Sequence, residues 1–100
     1  MRCTYFVYEG IFGDDDPDRA GYKLFSSAMV PSENTEEASR ILASELTEYG
    51  VAILHIEDCF VFDPEKVDFE DPHNLKWISI YEEVVRFKRT ILTPFQMYKE

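Results

Sequence analysis

Apolar residues at the start of this chain follow strand-like rather than helical spacing. "CTYFVYEGIF", Cys3 to Phe12, and "YKLFSSAMV", Tyr22 to Val30, are dense in β-branched and aromatic residues, and the polar segment between them ends at Gly21. That composition predicts two strands joined as a β-hairpin with a long loop, in which Pro17 and the aspartates supply the turn chemistry.

The period then changes. In "PSENTEEASRILASELTEYG" the residues Ala38, Ile41, Leu42, Leu46 and Tyr49 fall on one helical face, acidic residues crowd the first turn, and Gly50 stands at the C′ position. Asn34 and Glu37 have the spacing of a capping box, with Ser32 and Thr35 as alternative N-caps. The helix is expected to cover a sheet. "VAILHI", Val51 to Ile56, is nearly continuous in apolar residues, the pattern of a strand buried on both faces after a right-handed crossover, and so is expected at the sheet centre. "EDCFVFD" fits either a continuation of that strand through a bulge or a short turn back.

From Asp63 to Asp71 the chain is polar and reads as a loop anchored by Val67 and Phe69. "DPHNLKWISIYEEVVRFKRT" opens with Asp71 at an N-cap and Pro72 at N1, and Trp77, Ile78, Tyr81, Val84 and Val85 recur at spacings of three and four. Helix is favoured there, although "WISIY" alone has strand character. Residues 88–98 read as a last strand, with Pro94 placing it at an edge or a bulge. The expected order is ββαβαβ: an α+β (or α/β) two-layer sandwich, a four-stranded sheet with two helices on one face, forming a single globular domain over residues 1–100.

Charge narrows the functional classes. Twenty acidic residues against ten basic ones give a formal net charge of −10, so the surface field repels nucleic acid and anionic lipid and attracts cationic surfaces. Direct nucleic-acid binding and membrane insertion are therefore not expected. "MRCTYFVYEG" has no long apolar stretch of the kind a signal peptide needs, which points to the cytoplasm. Cys3 and Cys59 then read as buried free thiols, with a disulfide between them left open.

Candidate chemistry is sparse. Counting a calcium loop from Asp14 puts Arg19 and Phe25 where a glycine and a bidentate glutamate are required, so "GDDDPDRAG" reads as a solvated hairpin tip. His55 and His73 have no CxxC, HxH or HExxH context and read as core or hydrogen-bonded histidines. Cys59 and His55, four apart on one strand, would share a face at too great a separation for a nucleophile and its base. The pairs Glu36–Glu37 and Glu82–Glu83 point in different directions on helices, and "RFKR", residues 86–89, complements the end of the second helix. No phosphate-cradling loop or nucleophile elbow occurs. The chain is expected to be no enzyme, with no catalytic residues, metal or cofactor.

What remains is an interaction surface. "EDCFVFDPEKVDFEDP" interleaves seven carboxylates with Phe60, Phe62, Val67 and Phe69 against Lys66 alone. Carboxylates steer a basic partner and aromatic side chains supply contact area. The expected partner-binding residues are Asp14, Asp15, Asp16 and Asp18 in the first tract, and Asp63, Glu65, Asp68, Phe69, Glu70 and Asp71 in the second. In size, acidity and lack of catalytic apparatus the chain resembles, as a type and through no motif, bacterial immunity proteins and phage-encoded inhibitors such as anti-nucleases and anti-CRISPRs. That likeness implies binding and inhibition of a basic, nucleic-acid-handling protein and carries over no functional residue. The alternative is a small regulatory or ligand-binding α+β domain without catalysis. An exposed edge strand also leaves a homodimer open.

Overall fold

The computed structural model describes residues 2–15, 17–66 and 70–99; the side chain of His73 lies outside what it describes. Strands β1 (Cys3–Phe12) and β2 (Lys23–Val30) form the expected hairpin, followed by helix α1 (Thr35–Glu48) and strand β3 (Val51–Phe62). A 3₁₀ turn (Pro64–Lys66) leads to helix α2 (Pro72–Phe87), and two short strands close the chain, β4 (Ile91–Leu92) and β5 (Gln96–Tyr98). The class is α+β and the order is the expected one, with the last strand in two pieces. Pro94 has no N–H to donate to β2, and the gap is bridged at Thr93, whose N–H donates to the Ser27 carbonyl at 2.9 Å and whose Oγ1 accepts the Ser27 N–H at 2.9 Å.

All pairings are antiparallel. The sheet runs β3-β1-β2, with β4 and β5 both on the far side of β2. The interior strands are therefore β1 and β2, and β3 is an edge, contrary to the expectation drawn from its apolar run. The register between β1 and β3 slips twice, between Val7 and Tyr8 and between Glu9 and Gly10. Each slip inserts one extra residue, Glu57 and Leu54 respectively, and resets which side chains face the core. Val51, Ile53 and Ile56 thus all point at α1, while Leu54 is exposed. The run is apolar because the bulge at Leu54 breaks its alternation, and "EDCFVFD" is the same strand continuing.

Strict alternation along β1 sorts the core into two. Phe6, Tyr8 and Phe12 pack with Leu24, Ala28 and Val30 against Ala38, Leu42 and Leu46 of α1. Cys3 and Met29, of opposite parity, pack with Phe62 against Trp77 and Val84 of α2. The helices accordingly lie on opposite faces of the sheet rather than sharing one. The α2 cluster engages the sheet at the Cys3 end, where Tyr5, Met29 and Phe62 lie.

Helix α1 begins as its sequence requires. Asn34 is the N-cap, its Oδ1 accepting the Glu37 N–H at 3.0 Å, and the Asn34 N–H is taken by Ser32 Oγ at 3.2 Å. Serine and asparagine thus divide the capping work. Tyr49, expected on the buried face, is the C-cap and is exposed. Gly50 follows with φ of +73°. A β-branched side chain tolerates that region poorly, so Gly50→Val is expected to cost about 1 kcal/mol or more. Equal urea midpoints for variant and parent would contradict the assignment.

Candidate partner-binding surface

The two acidic tracts occupy opposite ends of the sheet. The hairpin loop leaves β1 at Phe12, which pairs with Val51, whereas the second tract leaves β3 at Phe62, which pairs with Cys3. Ten residues of β1 separate them, roughly 30 Å at about 3.3 Å per residue. The surface expected from sequence is thus two patches.

In the first patch Asp14, Asp15 and Asp18 are exposed, and Asp16 lies outside the described residues. Tyr22 N–H donates to the Arg19 carbonyl at 2.9 Å, and the Arg19 guanidinium stands 5.5 Å from the Phe12 ring. No group of three or more His, Cys, Asp or Glu side chains is placed to hold a metal among the described residues.

The second patch is more tightly organised. Asp63 Oδ1 accepts the Glu65 N–H at 3.0 Å and its carbonyl accepts the Lys66 N–H at 3.1 Å, so Asp63 heads the 3₁₀ turn, with Lys66 Nζ 4.0 Å from Oδ2. Its side chain is only 17% exposed. Glu65, Glu70 and Asp71 are exposed; Asp68 and Phe69 lie outside the described residues. Asp71 immediately precedes α2, and its carbonyl accepts the Asn74 N–H at 3.0 Å.

Beside this patch stands an aromatic cluster that sequence reasoning did not assemble. Tyr5 and Phe60 are register partners on the face that α2 partly covers, their ring centroids 5.0 Å apart. Trp77 meets Tyr5 edge-on, at 4.6 Å and 77°. Phe62 packs on Tyr81, whose phenol is pushed above its usual pKa, first by burial and then by the Cys3, Asp63 and Glu65 side chains. Phe60 is 44% exposed. Asp58, two residues before it and partner to Val7, lies on the same face. The available signal was the alternation Asp58, Phe60, Phe62; the contributions of Tyr5 and Trp77 depend on tertiary placement.

The remaining candidate groups are dispersed. Cys3 is buried and its thiol is pushed up to about 11 by burial. Cys59 is exposed rather than buried, and its thiol is also raised, by desolvation and then by the Asp58 charge. Both are free thiols. His55 is exposed as well, its Nε2 3.8 Å from Glu57 Oε1. His55 pairs with Glu9 and Cys59 with Phe6, so the intervening bulge puts them on opposite faces rather than on the shared one expected. At the end of α2, Arg89 binds Glu83 at 3.0 Å, and Arg86 and Arg89 stand over the exposed Phe87 ring.

Tyr8 is fully buried on the α1 face. Its neighbour in register, Ser26, directs its hydroxyl to the Thr93 carbonyl at 2.9 Å and lies 3.1 Å from Thr93 Oγ1, and among the described residues none meets hydrogen-bond geometry with the Tyr8 hydroxyl. Burial pushes its pKa up, and the nearby Ser26 hydroxyl offsets this only in part. Removing an unsatisfied buried hydroxyl relieves a desolvation cost, so Tyr8→Phe is expected to stabilise the fold by about 1 kcal/mol. A loss of stability of that size in chemical denaturation would contradict this.

Among the described residues no helix is long and apolar enough to cross a membrane. No protein-family model, no curated protein and no solved structure matches this chain.

Proposed function

We propose that this chain is a small acidic, non-catalytic protein of the cytoplasm that binds and inhibits a basic, nucleic-acid-handling partner, in the manner of immunity proteins and phage-encoded inhibitors. The reading is carried by one juxtaposition: the half-exposed ring of Phe60 shares a sheet face with Asp58 and stands near the end of β3 from which the segment bearing Asp63, Glu65, Glu70 and Asp71 leads to α2. Exposed aromatic area at an acidic rim is the composition of an interface whose partner is cationic. The hairpin aspartates, roughly 30 Å away, add to the attracting field rather than to the same contact.

The test is to recover the partner by crosslinking in the native cell and titrate this chain against its nucleic-acid activity. Loss of that activity at one equivalent supports inhibition. A partner that is acidic, or a basic one whose activity is unchanged at saturation, rejects it.

A further inference from the structure

The aromatic cluster encloses a cleft of about 160 Å³, lined among the described residues by Tyr5, Phe60, Phe62, Asn74 and Trp77. Pockets for drug-sized ligands and cofactors span about 300–1,000 Å³, so this one matches a single side chain. Its rings are set at angles, 49° between Tyr5 and Phe60 and 77° between Tyr5 and Trp77, which keeps them from collapsing into one stack. Tyr5 is further tethered by its hydroxyl, 3.4 Å from Ser27 Oγ.

No carboxylate lines the cleft among the described residues, but three stand near it in register or sequence, and they bear on the occupant. Asp58 lies on the same face as Phe60, with one carboxylate oxygen accepting the Cys59 N–H at 3.0 Å. Asp63 follows Phe62 directly, and Asp71 stands one helical turn before Asn74. Aromatic faces carry negative quadrupole charge, and carboxylates beside them deepen the potential for a cation. Between the two basic side chains, the weakly hydrated, planar guanidinium suits an aromatic slot with a carboxylate on the neighbouring position of the same sheet face, because it stacks on a ring while its fork reaches for oxygens.

We propose that this cleft receives an arginine side chain of the partner, stacked on Phe60 with its fork directed to Asp58. The proposal rests on the reading of the partner as basic and gives that reading a specific anchor. It is tested without the partner. Trp77 is the single tryptophan of the chain, so its emission reports on the cleft.

The probes are N-acetyl-arginine methylamide, the citrulline compound as its neutral isostere, and the lysine compound, each titrated at low salt. The arginine probe is expected to give a saturable change in the millimolar range, with the citrulline and lysine probes roughly fivefold weaker or more. Phe60→Ala, at an exposed position, and Asp58→Asn should each weaken arginine binding roughly fivefold while leaving the fold intact by circular dichroism. Equal binding of arginine and citrulline, equal binding of arginine and lysine, no saturable change, or parent-like binding by both folded variants would overturn the proposal. The two readings fail separately: the probe binds or does not whatever the partner's charge, and a basic, inhibited partner stands even if the cleft stays empty.

Discussion

Gly10→Ala is expected to destabilise the fold by about 1–3 kcal/mol, even though alanine is ordinarily the better strand residue by about 0.5–1 kcal/mol. Gly10 lies on the α1 face of the interior strand β1, beside the second bulge of β3. A Cβ there would sit 2.7 Å from Val51 Cγ1 and 3.1 Å from the Ala52 carbonyl oxygen. Val51 is buried and its branched side chain has few rotamers to escape into, while the carbonyl belongs to the backbone. The missing side chain of Gly10 is thus the space that lets the bulged edge strand close onto β1. A double-mutant cycle with Val51→Ala isolates the contact: the double variant should lose about 1 kcal/mol less than the sum of the singles. Strict additivity would show that Val51 is not what the new methyl meets.

That bulge also explains where sequence reading stopped. The hairpin, the α1 boundaries with Asn34 and Gly50, and the start of α2 at Pro72 were legible because caps, turns and period are local properties. The position of β3 was not. An unbroken apolar run signals burial on both faces only while alternation holds, and the extra residue Leu54 breaks it, so Val51, Ile53 and Ile56 crowd one face of an edge strand. The sides taken by the helices were equally hidden, since Trp77 and Leu42 have the same periodic character and only the parity of their sheet partners, Cys3 and Phe6, separates them. For the candidate surface, composition marked both acidic tracts, but only the pairing of β1 with β3 reveals that they lie at opposite ends and that Tyr5 and Trp77 join the second.

The second large effect concerns that end. Replacing Asp63, Asp68, Glu70 and Asp71 by their amides is expected to weaken the partner complex by about 2–5 kcal/mol, mostly through faster dissociation. Asp63 directly follows Phe62 and Asp71 directly precedes α2, the helix that carries Trp77, so these two adjoin an aromatic cluster that an interface would desolvate, and a cation left buried without its counter-charge is costly. Asparagine at position 63 retains an oxygen to accept the Glu65 N–H, so the 3₁₀ turn keeps its cap. Replacing Asp14, Asp15, Asp16 and Asp18 by asparagine should instead slow association alone, because Asp14, Asp15 and Asp18 are exposed and distant from the contact, and such charges act by long-range steering that salt screens. Removing like charges from a chain of net charge −10 lessens self-repulsion, so both variants should fold.

The decisive measurement is the pair of rate constants for the recovered partner with the parent and both amide variants, at low and high salt. The proposed recognition surface requires faster dissociation only in the 63–71 variant, at both salt concentrations, and slower association in the 14–18 variant that disappears at high salt. Parent-like rate constants for both variants throughout would contradict it and leave the acidic surface a solubilising one.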